Sequence, residues 1–256
     1  MEIATVIPKV IHFIFGLKKN SYIPFSCYHY LAVATAKAVN KDCEIVIHYY
    51  YEPQNEWWEL CKPLVKLDKL AAIPTDVQGN PIAHHAHLTD HMRVEILLAD
   101  GGIYLDMDTI CIRPFEPLLI HRCVMGLEMC DGQITGLCNG VIMAEPDHVF
   151  LRLWKDAFKQ FDANDWNKLA CRIPMEIFNK NTSRVYLEPP ESFFRLTWAD
   201  RDLRTMHEDA IEFNLSYSAH LWETAAYKKY LSKVTLEDVK TRDCTFNRLI
   251  RRNLGW

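Results

Sequence analysis

Apolar residues fall in short blocks separated by polar, turn-forming stretches, and the period within each block predicts its structure. The run Val10–Phe15 lies in a predicted strand over 9–15, followed by a helix from Pro24 to Asn40. A strand at Glu44–Tyr50, a helix at Asn55–Lys62 and a short strand at Leu64–Leu67 come next. Leu88, Met92, Ile96 and Ala99 recur at helical spacing, and Val94, Leu97 and Leu98 widen the stripe, so 88–99 reads as a largely buried helix. Gly101-Gly102 turns the chain into a strand at 103–105. Strands at Val124–Glu128 and Gly140–Ala144 precede a helix from Asp147 to Phe161. The alternation predicts an α/β fold with a mostly parallel sheet flanked by helices. Residues 1–145 carry the alternating core of one domain, and 146–256 form a helix-rich remainder.

Chemistry concentrates where the buried helix meets the 103–105 strand, in Ala99-Asp-Gly-Gly-Ile-Tyr-Leu-Asp-Met-Asp-Thr109. Asp106 and Asp108 stand one residue apart at the strand's end, facing the crevice where open α/β sheets bind ligands. Hard cations such as Mn²⁺ or Mg²⁺ take oxygen ligands and hold a diphosphate with one or two carboxylates. Asp90 and Arg93 share a helix face three residues apart, as an internal ion pair or as ligand contacts. His84-His-Ala-His87 fits no closed zinc geometry by itself and reads as the loop entering the helix. His220 reads equally as a structural residue or a ligand, and Asn139, before a glycine, as a pocket residue or a plain turn. His12 reads as a hydrogen-bonded core histidine.

The set Asp90, Arg93, Gly101-Gly102, Tyr104, Asp106, Asp108 resembles the sugar-binding DXD region of glycosyltransferase family 32 and is similar to the glucosyltransferase domains of large clostridial toxins. Further likenesses are Ile7-Pro-Lys-Val-Ile-His-Phe-Ile-Phe15, Leu137-Cys-Asn-Gly-Val-Ile-Met-Ala144, Val185 to Phe194 and Ser218-Ala-His-Leu-Trp222. The resemblance implies a Rossmann-like GT-A fold, with 1–145 binding a nucleotide-sugar and 146–256 forming the acceptor side and cover. It implies that Asp90 and Arg93 hold the donor sugar, with Tyr104 near it. Asp108, joined by Asp106 and His220, would bind the metal, and Asn139 and Trp222 would line the pocket. Phe13, Phe15 and Tyr22 are candidates to stack on the base. Transfer would be retaining, from UDP-hexose by preference or GDP-mannose, to a glycan, lipid-linked or protein acceptor. Two departures stand out: Arg172-Ile-Pro-Met replaces a Gly-Pro on the acceptor side, and Glu223-Thr-Ala replaces a late Ser-Trp.

Composition narrows the rest. A net charge of −4 over 256 residues gives no electrostatic case for nucleic acid. Nine scattered cysteines with no Cys-x-x-Cys read as reduced, buried thiols rather than a disulfide framework or zinc site. The sequence shows no signal peptide or spanning segment, favouring a cytoplasmic enzyme. The basic, amphipathic 246–256 segment reads as a terminal helix on its own domain or as a peripheral membrane contact. Two alternatives compete: a haloacid-dehalogenase-like phosphatase using Asp106-Met-Asp-Thr109 with Asp200-Arg-Asp202, and a non-catalytic sugar-binding protein.

Overall fold

The computed structural model describes residues 6–256 other than 20, 75, 78, 79, 82–84, 163, 164, 166, 181–183 and 214. Its strands are β1 (Val10–Phe15), β2 (Glu44–Tyr49), β3 (Lys66–Lys69), β4 (Asp76–Val77), β5 (Asn80–Pro81), β6 (Gly102–Leu105), β7 (Thr109–Cys111), β8 (Cys123–Cys130), β9 (Gln133–Ala144), β10 (Tyr186–Glu188) and β11 (Ser218–His220). Helices α1 (Cys27–Val39), α2 (Glu56–Cys61), α3 (His85–Asp100), α4 (Val149–Ala157) and α5 (Ile173–Lys180) are followed by α6 (Pro190–Phe193), α7 (Asp200–His207), α8 (Glu223–Ala226), α9 (Leu236–Thr241) and α10 (Thr245–Leu254).

The main sheet has the order β10-β8-β9-β6-β1-β2-β3. It is parallel except at β9, which runs antiparallel to both β6 and β8. The exception has a local cause. Asp131-Gly132 adopts positive φ at both residues (50° and 77°), the two-residue turn that closes a tight hairpin between β8 and β9. The hairpin lengthens both strands beyond the apolar stretches that predict them. β3 lies two residues later than predicted, because a short 3₁₀ turn at Lys62–Leu64 intervenes.

One apolar layer packs α1 and α2 on the sheet, around Phe13, Phe25, Val33, Ile47 and Trp58. The opposite layer packs α3 and α4 around Val94, Leu97, Ile142, Phe150 and Trp154. A third cluster joins α1, α7, β7, β11 and α10. Phe13 is fully buried in the first layer, so it is not placed to stack on a base. The apolar face of α10 is likewise consumed: Phe246, Leu249 and Ile250 are buried in the third cluster, leaving that face unavailable to a membrane. No helix of the described residues is long and apolar enough to cross a membrane.

Helix α3 begins at His85, so His87 lies on the helix rather than in an entry loop; His84 is outside the described residues. The buried stripe also differs from the predicted one. Ala99 is exposed and Ile96 half-buried, while His87, Asp90 and Arg93 are buried beside Leu88, Val94 and Leu97. Hydrophobic periodicity misplaces the stripe because part of the inward face is polar.

A buried latch fixes the Gly-Gly corner. The Gly101 carbonyl can only accept, so His12 Nε2 donates to it (3.0 Å), leaving His12 Nδ1 to accept from His48 Nε2 (3.0 Å). His48 Nδ1 is bonded in turn to Asp68 at 2.7 Å. Gly102 sits at φ 99°, and a Cβ there would lie 2.6 Å from the Val10 carbonyl oxygen and 3.0 Å from His12 Nε2. The corner therefore requires glycine sterically as well as conformationally.

Candidate active site

The chain leaves β6 at Leu105 and immediately makes a tight turn. The Asp106 amide donates to the Gly140 carbonyl on β9 (2.9 Å), and the Thr109 amide closes the turn on the Asp106 carbonyl (2.9 Å). β7 then pairs antiparallel with β11, placing His220 opposite Thr109. This two-stranded ladder, absent from the predicted elements, carries His220 across more than a hundred residues to the Asp-x-Asp turn. Asp106, Asp108 and His220 present ligand atoms within 4.8 Å of one another. His220 Nε2 lies 3.0 Å from Asp108 Oδ1 and 3.6 Å from Asp106 Oδ2.

Each carboxylate is fixed by one oxygen and presents the other. Asp106 Oδ1 accepts from the Tyr104 hydroxyl (2.7 Å) and faces Arg93 Nη2 (3.1 Å), which leaves Oδ2 toward His220. Asp108 Oδ2 accepts from the Glu223 backbone N–H (2.7 Å), at the start of α8. The Glu223 carboxylate is held by the Tyr28 hydroxyl (2.6 Å) and His29 Nε2 (2.7 Å), a support from α1 that no local motif announces. Since the bond to Asp108 comes from the main chain, the Glu223-Thr-Ala departure does not by itself remove it.

Beneath this turn lies a buried polar cluster. The Asn139 side-chain amide donates to Asp90 Oδ1 (2.7 Å), and the Asn139 carbonyl accepts from Arg93 Nη1 (2.6 Å). Arg93 Nη2 also lies 3.3 Å from Asp90, while Nε donates to the Thr89 carbonyl (3.2 Å). The guanidinium stacks over the Tyr104 ring, 4.5 Å from its centroid. His87 Nδ1 approaches Asp90 Oδ2 at 3.7 Å. Asp90, Arg93, Tyr104, Asn139, Asp106, Asp108 and His220 thus form one connected group. Trp222, half-buried, adopts a left-handed conformation (φ 57°), and its ring lies 4.3 Å from that of His220. Its indole N–H donates to the Leu196 carbonyl (2.7 Å), tying the site to the helix-rich part.

Burial and mutual charge together set the protonation of the three groups. Burial drives Asp106 above the usual carboxylate range, although Arg93 and His220 oppose the rise. Burial acts on Asp108 too, but the adjoining His220 outweighs it and holds Asp108 below that range. Burial disfavours charge on His220, yet Asp108 raises its pKa. Two carboxylates and an imidazole so arranged suit a hard or borderline divalent ion. Gly140 leaves the necessary room, because a Cβ there would lie 3.1 Å from Asp106 Oδ2 and 3.6 Å from His220 Nε2.

Residues 30–125 match the family model described as "Glycosyltransferase sugar-binding region containing DXD motif". The protein is a glycosyltransferase with a DXD sugar-binding region. The glycosyltransferase is 29% identical over 265 residues to glucan organizing enzyme 1 of Cryptococcus neoformans, a match covering 98% of this chain and 71% of that one. It is 27% identical over 179 residues to the Mus musculus lactosylceramide 4-alpha-galactosyltransferase, covering 61% of this chain and 47% of the relative. Its fold is GT-A. The galactosyltransferase LgtC in complex with donor and acceptor sugar analogues superposes with a TM-score of 0.51 at 15% identity, over 96% of this chain and 95% of that one. The apo form of GlyE from Streptococcus pneumoniae superposes with a TM-score of 0.54 at 12% identity, over 97% of this chain and 60% of that one.

The glycosyltransferase assignment sets aside the phosphatase and the non-catalytic alternatives. Asp202, needed as a later acidic residue by the phosphatase reading, instead accepts from the backbone and side chain of Thr197 (3.0 and 2.7 Å). Among the base-stacking candidates other than Phe13, Phe15 packs edge-on against Phe25 and His29, and Tyr22 is exposed at 70%.

Proposed function

We infer that the protein is a metal-dependent, retaining hexosyltransferase that uses a nucleotide-sugar, with UDP-hexose preferred and GDP-mannose open. The observation that carries this reading is the convergence of Asp106, Asp108 and His220 beside Gly140. These three residues would hold Mn²⁺ or Mg²⁺. Such an ion, bound at the donor's phosphates, would offset charge growing on the leaving diphosphate.

Arg93 acts on the reaction through Asp106, whose orientation it shares with Tyr104. It also braces Asp90 and Asn139 as a rigid floor for the sugar, which Asp90 would meet through Oδ2. Trp222 would close one side of the pocket. The incoming hydroxyl attacks the anomeric carbon from the face the diphosphate leaves, and the departing phosphate takes its proton. The resemblance to glycosyltransferase family 32 supports this front-face course. The similarity to a lactosylceramide 4-alpha-galactosyltransferase supports a hexose donor and a glycan or lipid-linked acceptor, with a protein acceptor as the toxin-like alternative.

A nucleotide-sugar panel with Mn²⁺ tests the reading. Nucleotide release and sugar hydrolysis from a UDP-hexose are expected, abolished by EDTA and restored by Mn²⁺, with the released sugar initially in the donor's anomeric form. Release from no donor, or release indifferent to EDTA, would overturn it.

A further inference from the structure

Glu128, Cys138 and Cys171 come from three parts of the chain and meet inside the protein. Glu128 is on β8, Cys138 on β9, and Cys171 in the π-helical turn Lys168–Arg172 that leads into α5. Their ligand atoms lie within 4.8 Å of one another, and all three residues are buried. Cys171 Sγ lies 3.8 Å from each Glu128 carboxylate oxygen, and the Thr135 hydroxyl donates to Oε1 at 2.6 Å. The partners that hydrogen-bond to this carboxylate among the described residues are therefore neutral, a hydroxyl and a thiol.

The carboxylate is 3% exposed and is hydrogen-bonded by a hydroxyl and a thiol, with the buried His220 imidazole as a cationic group that feels its charge. Two sulfurs and one oxygen converging from separate elements are a donor set suited to a soft or borderline ion. We propose that Glu128, Cys138 and Cys171 form a second metal site, built for a divalent ion of the zinc class. The hard-oxygen pair Asp106–Asp108 and this thiol pair differ in softness, so each selects its own ion.

Binding converts both thiols to thiolates and releases two protons to solvent, and the ion takes their place. Ions of the zinc class ordinarily take four ligands, so a fourth would have to come from water. Burial and the neighbouring Cys171 push the Cys138 thiol well above its ordinary value, so that thiol stays protonated until an ion displaces its proton. The site adjoins the catalytic region through Gly140, whose would-be Cβ lies 3.6 Å from Cys138 Sγ and 3.1 Å from Asp106 Oδ2. The ion would fasten the turn before α5 to the strand that carries Asn139 and Gly140.

Cobalt reports the donor atoms directly. The full chain, reduced and stripped with chelator, is titrated with Co²⁺ in excess Mg²⁺, which covers the hard-ion site. A near-ultraviolet thiolate-to-cobalt charge-transfer band is expected, saturating at a single equivalent and removed by a single equivalent of Zn²⁺. Asp108→Asn should retain the band, whereas Cys138→Ser and Cys171→Ser should lose it. On the wild-type chain, at a sub-denaturing urea concentration that admits the reagent, zinc should also protect these two buried cysteines from alkylation relative to the other seven. No band on the wild type, a band surviving in the double serine variant, or alkylation of both cysteines indifferent to zinc overturns the proposal. The alkylation arm needs no variant and so does not depend on how the serine chains fold.

Discussion

Arg93→Lys keeps the positive charge of the buried cluster and removes its fork, so it isolates what geometry contributes. The guanidinium reaches the Thr89 and Asn139 carbonyls at 3.2 and 2.6 Å, and the Asp90 and Asp106 carboxylates at 3.3 and 3.1 Å. An ammonium concentrates its donors on one atom and cannot span carbonyls and carboxylates on opposite sides. It also forfeits the stacking on Tyr104. Losing about two charge-assisted hydrogen bonds at roughly 1.5–3 kcal/mol each puts the cost at about 3–6 kcal/mol. For a chain of this size that is a fall of ~6–24 °C in the unfolding midpoint. Arg122→Lys, in an exposed pair with Glu145, is the control and should leave the midpoint unchanged. Calorimetric titration with Mn²⁺ and UDP, beside donor turnover, then separates two roles. If Arg93 positions Asp106, ion and UDP affinity fall with turnover; if it contacts only sugar, turnover alone falls. A variant that melts within ~2 °C of wild type and binds Mn²⁺-UDP normally refutes the positioning argument.

Further expectations follow from single contacts. Asp108→Asn keeps an acceptor for the Glu223 amide but loses the charge facing His220, so Mn²⁺-dependent turnover should vanish in a folded protein; full activity would count against the metal site. Gly140→Ala places a Cβ 3.1 Å from Asp106 Oδ2, so titration should show weakened Mn²⁺ binding, and unchanged affinity would show that the ion sits elsewhere. His12 and His207 are held neutral by burial, each lowered from 6.5 to about 4. Between those values the unfolded chain binds more protons than the folded one, so stability is intact above pH ~6.5 and falls as pH drops toward 4, by about 3 kcal/mol per histidine. Denaturant midpoints measured from pH 7.5 to 4.5 check this, and a flat profile would contradict it.

The elements that sequence alone discloses are those whose signal is local. The first strand, the buried helix and the Gly-Gly turn each carry periodicity or turn chemistry within a dozen residues. The β8–β9 hairpin has such a signal at Asp131-Gly132, so its length was readable there. The β7–β11 ladder has none: three residues pair with three others more than a hundred positions away. Patterning gives α3 an apolar stripe through Leu88, Met92, Ile96 and Ala99, and leaves Asp90 and Arg93 beside it as an internal ion pair or ligand contacts. Their burial becomes intelligible only with β9 in place, where Asn139 offers an amide to one and a carbonyl to the other.

The same distinction governs the chemistry. Asp106 and Asp108 are legible because a strand end fixes two carboxylates one residue apart, and no distant partner is needed to see them as a pair. Their orientation is not legible. It depends on a hydroxyl two residues back, a guanidinium from α3, and a backbone amide from α8, and this last donor carries no side-chain signature at all. Tyr104 illustrates the difference. The resemblance places it near the sugar, whereas its ring is 1% exposed and its hydroxyl is spent on Asp106, so its contribution runs through the carboxylate. Substitutions at the supporting residues should accordingly resemble losses at the Asp-x-Asp pair, because what they supply is the direction in which a charge already present is pointed.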